Sequence, residues 1–359
     1  MGTLTAGALV IAMDGHVHAA PVEPGEQVQY PRQAGVGGRG RHRYLEPRPA
    51  SSSKRVVGDL LRSVRREIVR APKAGARLGT CRHDARPHHR RRARARDLAR
   101  LLAASGGSPY LHAEVVGKTV EGRDMLLLTV TNPSVSDANK KVLWLMARQH
   151  AWEAGTSWVA EGALRFLLSS DPRAGRIRDE AVFKIFPMAD PDGVARGGVR
   201  FNEHGYDLNR NWDTLDAKLM PEIAAQHKAM LDWIAGGRRI DLFLTMHNTD
   251  GEYLAGPLSA GSPQVQESVK RFFELLVANT SFNGPLRDAG LSTTPGMPGR
   301  MTVNQGLFHD FKIPATGMEQ TVEFDSKLGR IPTAEDHLAF GAGLVRCMWA
   351  AVTHIGGLR

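Results

Sequence analysis

The sequence predicts an α/β fold for residues 97–359: a mixed, mostly parallel sheet with helices on both faces. Three observations carry this. Apolar runs of strand length alternate with longer segments of helical periodicity, which is how a sheet layered between helices reads. The central runs are apolar almost throughout, as expected of strands covered on both sides. The polar motifs follow directly on the runs that start at Lys141 and Ile240, where open α/β sheets bind ligands at strand carboxyl ends.

The elements follow in order. Asp97 caps a short helix reaching Ala103. Residues 111–116 and 125–130 form a hairpin across a Gly-containing turn. Residues 141–147 are a buried strand that delivers His150 to its carboxyl end, and 156–168 are helical, with Thr156 or Ser157 near the start. A second buried strand covers 181–186, and a long loop over 187–213 holds most of the polar motifs. Residues 221–234 are a helix. The run 240–245 is a strand ending directly at the Met246-His247-Asn248 motif. A helix over 263–278 precedes a Gly/Pro-rich loop at 281–300 and a short helix over 302–311. The last strand lies within 315–324, and a long helix over 334–352 closes the chain.

The head of the chain differs in kind. Residues 1–100 hold 21 Lys and Arg against 8 Asp and Glu, while the remainder holds 26 against 29. The net charge of +10 therefore belongs to the head, and the body is not a nucleic-acid binder by composition. Residues 1–96 are rich in Gly, Pro, Ser and Arg, with one basic amphipathic stretch over 56–69 and a cationic run from His88 to Arg96. We read them as a basic, disordered, solvated head, or as sequence foreign to the gene product. Their one interaction is a non-specific hold on anionic polymers such as nucleic acid.

Cys81 and Cys347 are the only cysteines. They build neither a disulfide framework nor a cysteine metal site, and they suit a reducing compartment. No run is long and apolar enough to span a membrane. Residues 4–13 are mildly apolar but lack a basic flank, and Asp14 follows, so no signal peptide is expected and the expected location is cytoplasmic.

The chemistry concentrates in a few motifs. His150 and Glu153, three apart, together with the distant His247, supply three ligands of the type zinc takes, leaving a fourth position for water. Water on such a metal loses a proton near neutral pH and becomes a nucleophile. Between these motifs lies Gly205-Tyr206-Asp207-Leu208-Asn209-Arg210-Asn211-Trp212.

With Gly117-Lys118-Thr119-Val120-Glu121-Gly122-Arg123-Asp124 and Pro191-Asp192-Gly193 upstream, and Met318-Glu319 downstream, this ordered series resembles the zinc carboxypeptidases of the carboxypeptidase A type. It is most similar to their cytosolic carboxypeptidase subgroup, over about residues 108–350. The resemblance implies one Zn2+ per chain on His150, Glu153 and His247, and a peptide or protein C-terminus as substrate. Asp207 is implied to orient His150 from its non-ligating nitrogen. Asn209 and Arg210 are implied to clamp the terminal carboxylate, and Arg200 to stabilise the oxyanion, with Arg196 as its neighbouring competitor. Glu319 is the implied general base and acid. Glu323, four residues on, is its rival, because an extended strand would turn both to one face.

Two features depart from the family. The β-sandwich domain that usually precedes the catalytic domain is not expected here, because the sequence of the head lacks the regular short strands such a domain needs. No tyrosine matches the family's mobile one: Tyr253 sits too close to His247, leaving Arg200 alone or a donor such as His309. Two other functions are compatible with these residues. One is a zinc amidohydrolase or deacylase acting on N-acyl amino acids or cell-wall peptides. The other is a non-catalytic anion-binding protein working through the basic head.

Overall fold

The computed structural model describes residues 107–290 and 299–353. The basic head, the helix expected from Asp97, the boundary at 96/97 and residues 291–298 of the Gly/Pro-rich loop lie outside the described residues.

The described chain opens with an antiparallel hairpin of β1 (Leu111–Lys118) and β2 (Asp124–Val130). Strand β3 (Lys141–Met146), helices α1 (Ala154–Leu167) and α2 (Pro172–Glu180), and strand β4 (Ala181–Phe186) follow. Then come α3 (Pro191–Arg196), α4 (Pro221–Ala235), β5 (Leu242–Thr249) and β6 (Tyr253–Gly256). The chain continues through α5 (Pro263–Asn279), β7 (Leu286–Asp288), α6 (Val303–Phe311), β8 (Ala315–Thr321) and α7 (Ala334–Thr353).

The strands form one eight-stranded sheet in the order β1-β2-β4-β3-β5-β8-β6-β7. Its four central strands, β4-β3-β5-β8, are parallel. β2 runs antiparallel to β4 and β6 antiparallel to β8, while β7 is parallel to β6. The mixed, mostly parallel centre is the expected class.

Alternation along each strand assigns the faces. Leu143, Leu145, Phe183, Ile185, Leu244 and Met246 pack under α1, α5 and α7 through Leu164, Leu276, Leu344 and Met348. Trp144, Met146, Val182 and Phe243 face α4 and α6 through Ile223, Met230, Trp233 and Leu307. Each such side chain, taken fully out of water, contributes about 1.5–3 kcal/mol. Helices α1 and α7 cross at glycines. A Cβ on Gly162 would lie 2.1 Å from the Leu338 carbonyl oxygen, and one on Gly341 2.0 Å from that of Val159. Alanine at either point would force the helices apart.

Several elements differ from expectation. Helix α2 was not foreseen, because only Ala174, Ile177 and Arg178 of its nine residues are buried and no apolar stripe shows. Its signal is a cap: Asp171 accepts the Arg173 N–H at 2.8 Å, with Pro172 at the first helical position. The loop expected over 187–213 contains α3, capped by Asp190 on the Gly193 N–H at 2.8 Å. Strands β6 and β7 are too short to carry a pattern. Strand β5 starts at Leu242 and runs to Thr249, so His247 lies inside it rather than beyond its end. Strand β8 stops at Thr321, which places Glu323 outside the strand.

Candidate metal centre and active site

The loop after β3 is held in place before any ligand is considered. Ala147 donates to the Phe186 carbonyl at 2.9 Å, and Ala189 donates back to Ala147 at 2.9 Å, so the exits of β3 and β4 are tied together. Arg148 takes a left-handed conformation with φ 59°, a cost of about 1–3 kcal/mol for a residue with a Cβ. Its buried guanidinium offsets this by donating from Nε to the Ala151 carbonyl at 2.8 Å and from Nη1 to Ser157 Oγ at 2.9 Å. The curl turns His150 and Glu153 to one side. Glu153 begins α1, yet its carboxylate caps no helical N–H and faces the two histidines instead.

His150 Nδ1 lies 2.7 Å from Glu153 Oε1, and His247 Nδ1 lies 2.8 Å from Glu153 Oε2. The two Nδ1 atoms are 3.2 Å apart. Two nitrogens on one tetrahedral zinc, each about 2.0–2.1 Å away, stand about 3.3 Å from each other. All three residues are buried and offer ligand atoms within 4.8 Å of one another. They can hold a metal ion, and they are the one such group among the described residues.

The opposite ring nitrogens have partners of the right kind. His150 Nε2 lies 3.0 Å from Asp207 Oδ1. His247 Nε2 lies 3.2 Å from Thr245 Oγ1 and 3.2 Å from Asn209 Nδ2. With Nδ1 directed at a metal, Nε2 carries the proton and must donate. Asp207 and the Thr245 hydroxyl can accept it; the Asn209 amide nitrogen cannot. Thr245 was not singled out in the sequence, although its place two residues before His247 on one strand puts both on one face.

Asp207 is the hub. Its Oδ1 also accepts the Asn209 N–H at 2.8 Å, and its Oδ2 accepts Arg200 Nε–H at 2.9 Å. Asn209 Oδ1 accepts the Val303 N–H at 2.9 Å, and Arg210 Nη1 donates to the Asn209 carbonyl at 2.7 Å. Arg196 is turned elsewhere, pairing with Glu203 and lying 3.3 Å from Glu121. Arg200, not Arg196, therefore joins the cluster.

Glu319 stands beside His247 in the parallel register of β5 and β8. Its Oε2 is buried without a hydrogen-bond partner. Burial, reinforced by the Glu153 charge, pushes its pKa up to about 8. Glu323 is exposed beyond the strand, so the shared-face argument for it fails. His309 is exposed at the end of α6 and bonded to Asp310 at 2.9 Å.

The electrostatics of the centre have separate causes. Burial opposes ionisation of Glu153, but the charge of His247 and the hydrogen bond from His150 bring its pKa to about 2. Burial opposes the charged form of Asp207 too, yet His150, the Asn209 N–H and Arg200 hold it far below the usual carboxylate range. The two histidines diverge. Burial depresses His247, whereas at His150 the hydrogen bonds of Asp207 and Glu153 outweigh burial and raise the pKa. They share Glu153; only His150 also has Asp207.

Comparison with known proteins gives a consistent result. The family described as Zinc carboxypeptidase matches residues 107–257. Cytosolic carboxypeptidase 2 of Xenopus tropicalis is 31% identical over 192 residues, covering 52% of this chain and 20% of that protein. Cytosolic carboxypeptidase 6 of Caenorhabditis elegans is 39% identical over 118 residues, covering 33% of this chain and 26% of that protein. The chain thus spans a minor part of the relatives it matches. Among solved structures, a metallo-carboxypeptidase from Burkholderia cenocepacia superposes with a TM-score of 0.63 at 26% identity, covering 72% of this chain and 69% of that one. The carboxypeptidase A of Helicoverpa armigera, at 18% identity and a TM-score of 0.51, covers 86% of this chain and 83% of that one and shares the fold.

Proposed function

We propose, since this chain belongs to the zinc carboxypeptidase family, that it is a metallocarboxypeptidase removing the C-terminal residue of peptides. The observation that carries this reading is the convergence of both histidine Nδ1 atoms on Glu153, with Glu319 one strand away from His247. Two arginines lie beside the same cluster. A single zinc ion on His150, Glu153 and His247 would act as a Lewis acid, acidify a water and favour the ionised form of Glu319.

The chain's own residues divide the remaining work. Arg210 with Asn209 grips the terminal carboxylate, which restricts cleavage to chain ends. Arg200, oriented by Asp207, presents its outer guanidinium nitrogens to the scissile carbonyl as negative charge develops on the oxygen. Glu319 takes a proton from the attacking water and returns it to the departing amine. Its buried, unpartnered Oε2 suits that role, because no competing donor holds it. Asp207 keeps the Nε2 proton on His150, and with it the ring orientation. Cytoplasmic residence belongs to the same reading. It is supported by likeness to proteins named cytosolic carboxypeptidases, and no helix among the described residues is long and apolar enough to cross a membrane.

The test is a panel of peptides in free-acid and C-terminally amidated form. The free acids should be cleaved and the amides should be poor substrates. Arg210→Ala should lower kcat/KM on free acids by on the order of a hundredfold and leave the amides almost unchanged. Equal loss on both forms would remove Arg210 from the carboxylate site and favour an endopeptidase or amidase.

A further inference from the structure

The segment that carries Arg200 has no helix or strand of its own. Between Arg196 and Pro221 the one regular feature is an isolated antiparallel bridge of Phe201 with Asp207. The later part of the segment is anchored independently. Leu208 and Trp212 are buried, the Asn211 N–H donates to the Gly299 carbonyl at 3.1 Å, and the Trp212 N–H donates to that of Met301 at 3.2 Å. Arg200 lacks such anchors: among the described residues its one hydrogen-bonded partner is Asp207. Its place therefore depends on its neighbours in the chain. Upstream, the Val199 carbonyl accepts the Trp152 N–H at 3.1 Å. Downstream stands Asn202.

Asn202 is buried and uses the whole capacity of its amide. Its Oδ1 accepts the His204 N–H at 3.1 Å and the Tyr206 N–H at 3.0 Å. Its Nδ2 donates to the Leu219 carbonyl at 2.9 Å and to Glu222 Oε2 at 3.1 Å. Its backbone N–H donates to the Tyr206 carbonyl at 2.9 Å, and its carbonyl accepts the Gly205 N–H at 3.1 Å. Gly205, at φ 80°, supplies the left-handed residue this closure needs. Residues 202–206 thus form a closed loop whose ends set Phe201 against Asp207 and bring Arg200 Nε to Asp207 Oδ2. Glu222, fully buried in the first turn of α4, has a second donor in the Val120 N–H, 3.0 Å from Oε1. Val120 lies in the turn of the β1–β2 hairpin. Asp192, also buried, holds the same turn through Thr119 Oγ1 at 2.7 Å, the Glu121 N–H at 2.8 Å and Arg123 Nη1 at 2.7 Å. Two motifs prominent in the sequence and unused by the metal centre, 117–124 and 191–193, therefore meet at the turn on which Glu222 is seated.

We propose that Asn202 is a positioning residue for Arg200, with Glu222 as its seat and the hairpin turn as the support of that seat. This rests on the carboxypeptidase reading, in which Arg200 meets the scissile oxygen. A guanidinium tethered through Nε alone takes the place of its outer nitrogens from the backbone beneath it. A displacement of about 1 Å, even one caused far from the chemistry, can cost on the order of a hundredfold in rate. Loss of Asn202 acts on turnover. It spares the metal, held by His150, Glu153 and His247, and it spares the carboxylate clamp, whose segment is anchored at Asn211 and Trp212.

The experiment is Asn202→Ala, alone and combined with Arg200→Ala, in the zinc-loaded full chain. The single variant should lower kcat on free-acid peptides by roughly ten- to hundredfold, with KM and zinc affinity within about threefold of wild type. In the Arg200→Ala background the same change should cost less than about twofold, because residues acting through one group are not additive. Equal losses in both backgrounds would overturn the proposal, and so would a wild-type kcat. A parallel loss of zinc affinity and rise in KM would overturn it too, since a general loosening moves all three together. If Asn202→Ala does not fold, Asn202→Asp decides. It keeps the shape and both accepted N–H bonds but sets an oxygen against Glu222 and the Leu219 carbonyl. At alkaline pH, where the two carboxylates no longer share a proton, it should show the same loss of kcat with the same dependence on Arg200; no loss, or one independent of Arg200, would overturn the proposal. Failure of the underlying reading looks different: Arg200→Ala alone would leave kcat unchanged, and the oxyanion role would fall together with the positioning role built on it.

Discussion

Asp207→Asn isolates the hub of the site with almost no change in shape. The wild-type carboxylate meets three donors: His150 Nε2–H and the Asn209 N–H on Oδ1, and Arg200 Nε–H on Oδ2. An amide offers one oxygen and one NH2 group. With its oxygen on the Oδ1 side, the NH2 confronts Arg200. Flipped, the NH2 confronts both His150 and Asn209. The first arrangement leaves one donor unsatisfied and the second leaves two, so the first prevails. Arg200 is released and the negative charge behind His150 is gone. Loss of such a carboxylate partner typically costs ten- to hundredfold in metal affinity or activity, about 1.4–2.7 kcal/mol. Zinc affinity, measured by competition with a chromophoric chelator at neutral pH, should fall within that range. The drop in kcat/KM should be larger, because Arg200 loses its orientation as well. The variant should remain folded by circular dichroism. Zinc affinity within about twofold of wild type in a folded variant would show that Asp207 does not tune His150, contrary to what such partners ordinarily do.

Two further outcomes follow from the same geometry. Glu319→Gln should retain zinc and peptide binding while kcat falls by roughly a hundredfold or more, whereas exposed Glu323→Gln should stay within about twofold; the reverse ranking, read by steady-state kinetics, would move the proton-transfer role to Glu323. Asp190 is fully buried with Oδ2 unpartnered, and burial, with the charges of Glu222 and Asp192 adding to it, raises its pKa to about 7 against the Gly193 N–H and Arg196. Between the ordinary carboxylate pKa and about 7 the folded protein holds a proton that the unfolded chain releases, so this group subtracts stability progressively as pH rises and levels off above that value. Asp190→Asn, which keeps the cap on Gly193, should therefore gain on wild type in melting temperature as pH rises towards neutrality, then run parallel to it; a difference independent of pH would contradict the burial argument.

Much of this molecule was legible in its sequence, and the exceptions have physical causes. The strands β3 and β4 and the helices α4, α5 and α7 announced themselves because burial on a face or stripe imposes a period on the sequence. Helix α2 is held by a cap and a proline while most of its surface is solvated, so periodicity had nothing to register. The triad could be proposed from three residues because metal ligands must be of particular types. Thr245 and Arg148 could not, because a threonine in a strand and an arginine at a strand exit are ordinary until their partners are known. Glu319 over Glu323 depended on where β8 stops, and strand ends are set by pairing with β5 and β6 rather than by local sequence.

The position of His247 inside β5, rather than on a loop after it, binds the chemistry to the architecture of the sheet. The Met246–Met318 and His247–Glu319 pairs are successive rungs of one ladder. A slip of either strand by one residue would turn its methionine outward and send its polar group into the apolar layer beneath α1 and α7. Such a slip would destroy the core and the reaction centre together. The molecule therefore has no stable mispaired state that keeps its packing and merely loses function. Hydrogen exchange at the amides of His247 and Glu319 should reflect opening of the central sheet as a whole, not local fraying around a metal.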